Sequence, residues 1–185
     1  MAARVGIIGA SGYTGAELLR LCAGHPELEV VVATADTQAG TLAASLYPSL
    51  AGAYADLVFA DTDAAAVASL GLDLVFLGLP HGASQAIVPD LRAKVPHLVD
   101  LAADFRLKDA SLYPIWYGEE HTCPELLADF AYGLPELFRD DLVGAAAIAA
   151  PGCYVTAASL ALTPLVRAGR SRWPGCPGSW GPGGV

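Results

Sequence analysis

The side chains of this 185-residue chain that could carry covalent chemistry are its four cysteines, and Cys153 has the most distinctive setting. It lies in Ile148-Ala-Ala-Pro-Gly-Cys153-Tyr-Val-Thr156, where a small-residue strand (Gly144 to Ala150) enters a Pro-Gly turn. An apolar helical pattern begins near Thr156. A thiol at a helix start meets backbone N–H groups that have no intrahelical partner, and the positive end of the helix dipole favours thiolate over thiol. Such a cysteine is nucleophilic near neutral pH. The alternative is a small buried residue, because free cysteine packs well in cores. Cys123, two residues from His121, is the rival nucleophile, but Thr122 and Pro124 place it in a loop with no helix end behind it.

A second chemical setting lies near the N-terminus. Arg4-Val-Gly-Ile-Ile8 reads as a strand and ends in Gly9-Ala-Ser11-Gly12-Tyr13-Thr14-Gly15, followed by the helical spacing of Leu18, Leu19 and Cys22 up to Gly24. Strand, glycine-rich turn and helix form the first unit of a dinucleotide fold, in which a pyrophosphate approaches the N–H groups of the helix start. The spacing is G-x-x-G-x-x-G, and the alternative is a plain tight turn.

The elements that must position these residues alternate strand and helix. Glu29 to Ala35, with Thr34 near its end, reads as a second buried strand, and Asp36 follows it. An acid there binds a ribose 2′-hydroxyl or is a solvated loop residue. Thr37 to Tyr54 reads as loop, Leu57-Val-Phe59 as a third strand, and Thr62 to Leu70 as a helix. Asp73 to Leu79 is a fourth strand, and its loop Gly78-Leu-Pro80-His81-Gly82 precedes a helix over 83–94. In a doubly wound sheet that loop faces the ligand, so His81 either touches nucleotide or substrate or has no task. Leu98-Val-Asp100 is a fifth strand, entering Asp104-Phe-Arg106, read as an internal Asp–Arg pair or an anion-binding arginine. Residues 109–139 read as irregular and aromatic. The fold class expected is α/β, a Rossmann-type doubly wound parallel sheet that brings the glycine turn, the Gly78–Gly82 loop and Cys153 to one edge.

Composition narrows the function classes. The chain is 54% hydrophobic and 16% charged, which implies a substantial core. A net charge of −9 argues against a nucleic-acid partner. No apolar run reaches the roughly 18 residues of a membrane span, and no signal-peptide pattern precedes the first strand. The cysteines show no C-x-x-C spacing, as expected for free thiols in a reducing cytoplasm, and the scattered histidines (His25, His81, His97, His121) suggest no metal site.

With these motifs assembled, residues 4–168 resemble the N-terminal part of the N-acetyl-gamma-glutamyl-phosphate reductase family, in the semialdehyde-dehydrogenase group. The matching motifs, in the family's order, are Gly9 to Gly15, Gly78 to Gly82, Ala103-Asp-Phe-Arg106, Tyr132-Gly-Leu-Pro-Glu136, and Pro151-Gly-Cys-Tyr154 with Thr156. The resemblance implies a small-molecule acyl-phosphate substrate, an NADP cofactor in preference to NAD, and a thioester on Cys153 within arginine biosynthesis. Cofactor contacts carried over are Gly9, Ser11, Gly12, Tyr13, Thr14, Gly15, Thr34, Gly78, Pro80 and His81; Arg106 and Glu136 are carried over as substrate-binding. Asp36 sits awkwardly beside a 2′-phosphate. Alternatives are a carrier-linked aminoadipyl- or glutamyl-phosphate reductase of lysine biosynthesis, and a non-catalytic nucleotide-binding module.

The family is close to twice this length. Its α+β catalytic and dimerisation domain, with the general-base histidine, has no counterpart after residue 168, so the homo-oligomer expected of the family is not expected of this chain. Residues 169–185 carry nine Gly or Pro among 17, with two Trp. That composition suits no helix or strand and leads us to expect a tail foreign to the family, from truncation or a reading-frame shift near residue 169. The expected product is a nucleotide-binding fragment with little turnover.

Overall fold

The computed structural model describes residues 1–169. These divide into two units, Met1–Pro151 and a second that begins at Gly152. Of the tail expected over 169–185, residues 170–185 lie outside the described residues.

The first unit is built on a six-stranded parallel sheet of order β2-β1-β3-β4-β6-β5. The strands are β1 (Ala3–Ile8), β2 (Leu28–Ala33), β3 (Leu74–Leu77), β4 (His97–Asp100), β5 (Phe130–Tyr132) and β6 (Ala147–Ala149). Helices α1 (Tyr13–Ala23), α2 (Ala43–Leu46), α3 (Ala51–Tyr54), α4 (Ala64–Ala68), α5 (Ser84–Arg92), α6 (Tyr113–Trp116) and α7 (Pro135–Leu142) connect them. Side chains alternate between the faces of a strand, and here both faces are buried. Val5 and Ile7 of β1 join one core with Leu19 and Cys22 of α1, and Leu74 and Phe76 of β3 pack against it. Ile8, Val75 and Leu77 join the other core, with Val67 of α4 and Val88 and Leu91 of α5. Two cores on opposite faces are what a doubly wound sheet requires.

The order reverses between β1 and β3, because β2 lies on one side of β1 and β3 on the other. Ligands of doubly wound sheets lie beyond the strand ends at such a reversal.

Three expected elements differ. Leu57–Phe59 is not a strand of the sheet. Its backbone groups pair with residues 40–43, and the next residue, Ala60, makes one parallel bridge to Thr34 just beyond β2. The expected loop over 37–54 contains α2, α3 and a 3₁₀ turn at Pro48–Leu50. The aromatic stretch 109–139 supplies the edge strand β5. At three residues, with Phe130 facing the core and the other two half-buried, β5 is too short to show a strand period in the sequence.

In the second unit, α8 spans Cys153–Arg167, three residues earlier than the expected start at Thr156. Gly152 is the extended N-cap, and Thr156 bonds its carbonyl through both N–H and Oγ1.

Candidate nucleotide-binding edge and cysteine turn

The glycine turn is shaped by three glycines with different tasks. Gly9 has φ +79°, and a Cβ there would lie 2.5 Å from the Gly78 carbonyl oxygen, so the turns after β1 and β3 touch. A Cβ on Gly15 would lie 2.4 Å from the Ala10 Cα, so α1 packs flush on the strand exit. Gly12, the extended N-cap of α1, has open space, its nearest neighbour being 3.8 Å away. No side chain caps this helix, which leaves the N–H groups of Tyr13, Thr14 and Gly15 without intrahelical acceptors. An exposed glycine beside uncapped donors at a helix start fits a phosphate. Tyr13 and Thr14 are exposed, and Ser11 is held by its carbonyl, which accepts from the Tyr47 hydroxyl at 2.7 Å.

Thr34 meets this turn through its backbone, since its carbonyl accepts from Ala10 N–H at 2.7 Å. Its side chain is fully buried, with Oγ1 3.0 Å from Thr62 Oγ1. Asp36, two residues on, is exposed.

Beyond β3, Pro80 is exposed and His81 turns towards Asp104, with Nδ1 2.7 Å from Oδ1. Asp104 is fully buried. Its Oδ1 also accepts from Gly82 N–H at 2.8 Å, and its Oδ2 accepts from Ser84 and Gln85 N–H at 3.0 and 3.3 Å. The carboxylate thus caps α5 from across the fold. Its backbone carbonyl accepts from the Tyr113 hydroxyl at 2.6 Å and bonds His121 Nε2 at 2.7 Å. Asp100, also fully buried, accepts through Oδ1 from Ser84 Oγ and Ala102 N–H, while Oδ2 has no partner. Burial pushes its carboxyl up to about 6 against those two hydrogen bonds, with the Asp104 charge adding to the rise.

Of the two readings of Asp104-Phe-Arg106, the internal Asp–Arg pair does not form, because each side chain has other partners. Arg106 donates from Nε to Ala150 O at 2.7 Å and from Nη2 to Leu101 O at 2.9 Å. Ala150 N–H in turn donates to Asp100 O at 2.8 Å. Gly133 packs on the same strand exit: its N–H donates to Ala149 O, and a Cβ there would lie 2.8 Å from Ile148 Cγ2. Glu136, in the same Tyr132–Glu136 motif, is exposed in the first turn of α7.

Cys153 opens the second unit as the first residue of α8, exposed, behind a glycine N-cap. Cys22 and Cys123 are buried, and burial pushes both thiols up, which makes them poor nucleophiles. Cys123 is further tied down, its N–H donating to His121 Nδ1 and its Sγ to Gln85 O. Among the described residues no cluster of His, Cys, Asp or Glu could hold a metal ion, and no helix is long and apolar enough to cross a membrane.

Residues 4–145 match the family model for the semialdehyde dehydrogenase NAD-binding domain. The chain belongs to this family. Among curated relatives, an N-acetyl-gamma-glutamyl-phosphate reductase from Ectopseudomonas mendocina (strain ymp) is 48% identical over 167 residues, covering 90% of this chain and 48% of the relative. Another of that name, from Alkalilimnicola ehrlichii, is 50% identical over 165 residues, covering 89% and 47%. The chain therefore spans about half the length of the curated relatives it matches. Among solved structures, aspartate semialdehyde dehydrogenase II from Vibrio cholerae, complexed with ASA, aligns with a TM-score of 0.62 at 16% identity, covering 91% of this chain and 47% of that one. The Candida albicans enzyme with NADP aligns at 0.61 and 17% identity, covering 92% and 48%. These two show the semialdehyde dehydrogenase fold.

The expected cofactor residues Gly9 to Gly15 and Gly78 share one edge, with Pro80 and His81 on the same loop. Sequence reasoning missed Tyr47, Gly133 and the hub role of Asp104. Gly133 and Asp104 each lie inside a family motif, which was a signal of position but not of partners; the partners of Tyr47 and Asp104 are distant in sequence.

Proposed function

We propose that this chain supplies the nucleotide-binding half and the nucleophile of an NADP-dependent reductase that converts N-acetylglutamyl 5-phosphate to N-acetylglutamate 5-semialdehyde, in arginine biosynthesis. The single observation that carries the reading is the contrast between thiols: Cys153 is exposed at the first position of a 15-residue helix, whereas Cys22 and Cys123 are buried. The curated relatives' names support the substrate.

In this reading the Cys153 thiolate attacks the acyl carbon, the carbon–oxygen bond to phosphate breaks, and phosphate leaves with the electron pair. The thioester divides one difficult reduction into two easier steps. A nicotinamide nucleotide supplies the hydride when bound. The uncapped N–H groups of Tyr13, Thr14 and Gly15 hold its phosphates, with Gly9, Ser11 and Gly12 shaping the turn. Thr34, Gly78, Pro80 and His81 border the nucleotide, and Glu136 is assigned to substrate. Arg106, also a substrate candidate, reaches substrate only with the part of its guanidinium that Ala150 and Leu101 leave free. Three free thiols among the described residues suit a reducing cytoplasm.

The helix dipole by itself contributes roughly 1 kcal/mol to a charge at its N-terminus. The 185 residues alone are therefore assigned nucleotide affinity with little turnover. Phosphate-dependent reduction of NADP by N-acetylglutamate semialdehyde, measured on the purified chain and on Cys153→Ser, tests both statements. The expected result is slow turnover that Cys153→Ser abolishes. Turnover that survives the substitution contradicts the nucleophile, and rates near those of the relatives contradict the low-turnover assignment.

A further inference from the structure

The His81–Asp104 pair has a geometry beyond that of a loop histidine resting on an acid. Asp104 is fully buried and every hydrogen bond its carboxylate makes is an accepted one, from Gly82, Ser84 and Gln85 N–H and from His81. A carboxylate has no hydrogen to give, so Nδ1 of His81 carries the hydrogen in the 2.7 Å contact. In the neutral ring this leaves Nε2 as a bare acceptor. The ring packs against Tyr117, with centroids 4.6 Å apart and the two planes tilted by 35°, and its side chain stays 33% exposed. Tyr117 is itself stacked on the buried Tyr113, whose hydroxyl donates to the Asp104 carbonyl. Tautomer and ring plane are thus fixed from two sides while a third of the side chain stays exposed.

Topology places this loop relative to the glycine turn. The sheet order β2-β1-β3 puts Asp36, after β2, and His81, after β3, on opposite sides of the Gly9–Gly15 turn. A dinucleotide whose pyrophosphate lies on that turn has its adenosine ribose on the β2 side and its second ribose on the β3 side. The groups a second ribose offers to a bare acceptor are its hydroxyls. We propose that His81 Nε2 accepts a hydrogen bond from a hydroxyl of the nicotinamide-side ribose, and that Asp104 is the positioning residue that fixes the tautomer which makes this possible. The assignment rests on the nucleotide-binding reading given above.

Two measurements on the full chain test it. In binding titrations, His81→Ala weakens NADPH about tenfold and leaves 2′,5′-ADP, which lacks the second ribose, within about twofold. In ¹⁵N spectra of the histidine side chains, wild-type His81 shows a protonated Nδ1 and an unprotonated Nε2, and NADPH but not 2′,5′-ADP shifts the Nε2 resonance. Asp104→Asn abolishes that tautomer preference if it folds; if it does not, the wild-type spectra decide by themselves. Equal losses for both ligands, unchanged NADPH affinity in His81→Ala, or a protonated Nε2 in the neutral ring overturns the assignment while leaving nucleotide binding intact. Failure of the wild-type chain to bind either compound overturns the nucleotide reading, and the assignment with it.

Discussion

Arg106 reaches across 44 positions of sequence to donate a 2.7 Å hydrogen bond from Nε to the carbonyl of Ala150, three residues before Cys153. The same guanidinium bonds Leu101 O, and Ala150 N–H is held by Asp100 O. The exit of β6 is therefore fixed on both sides of one residue, Ala150, by the end of β4 and the loop that follows it. Hydrogen bonds from a charged donor contribute about 1.5–3 kcal/mol each, and part-buried carbonyls left without donors add a desolvation cost. Arg106→Met should lower the unfolding free energy in urea by about 3 kcal/mol, with Arg106→Lys, which can satisfy one carbonyl, losing about half of that. Equal stability of all three chains would contradict this account of the strand exit.

The glycines of the first turn should separate by task. Gly15→Ala places a methyl 2.4 Å from Ala10 Cα, a backbone atom that cannot turn away, so a loss of at least about 2 kcal/mol is expected in denaturant unfolding. Gly12→Ala meets nothing closer than 3.8 Å and should unfold within about 1 kcal/mol of wild type. Its methyl crowds the uncapped helix start, and NADPH affinity should fall about tenfold. A stable Gly15→Ala, or a Gly12→Ala with unchanged affinity, contradicts the division.

Asp100 makes stability depend on pH in a definite direction. Its folded value, raised from 3.8 to about 6, means that the native state holds this proton more tightly than the unfolded chain does. The contribution is fully present below pH 3.8 and is lost as pH rises through about 6, an amount on the order of 3 kcal/mol. Asp100→Asn keeps an oxygen to accept from Ser84 and Ala102 and cannot ionise. The gap between variant and wild type in urea unfolding should move in the variant's favour by that amount between pH 4 and pH 7. A gap that does not change with pH refutes this.

Asp36 bears on cofactor choice. An exposed acid just beyond β2 suits a ribose 2′-hydroxyl and repels a 2′-phosphate. Asp36→Ser should raise the affinity for NADP⁺ several-fold, on the order of 1 kcal/mol for a screened surface charge pair, and lower or leave unchanged that for NAD⁺. Titration of both nucleotides against both chains reads this directly, and an unchanged NADP⁺ affinity places the carboxylate away from the phosphate.

Much of the first unit was legible because its signals are local. The apolar runs of β1, β2 and β3, and the strand–turn–helix around Gly9–Gly15, each declare themselves within a dozen residues. The core strands of a sheet covered on both faces need no partner to be recognised as buried. What was illegible depends on pairing at a distance. Leu57–Phe59 has strand composition, yet its hydrogen bonds go to residues 40–43, and composition does not choose the partner. β5 is three residues long, and its place beside β6 follows from tertiary pairing. At the site, the cysteine turn and the glycine loop were readable as motifs. The partners of Arg106 and Asp104 were not, because an Asp and an Arg two positions apart invite a local pair, whereas each is held by groups at least five residues away.

The central claim is that Cys153 is the acyl acceptor, and site-resolved acylation tests it most directly. The purified chain would be incubated with acetyl phosphate, phosphate release followed, and each cysteine peptide mapped by mass spectrometry under conditions that preserve thioesters. The account predicts acetylation of Cys153 ahead of the buried Cys22 and Cys123, one equivalent of phosphate per chain, and loss of both signals in Cys153→Ser. Thioester on Cys123 first, or phosphate release unchanged in Cys153→Ser, would contradict it.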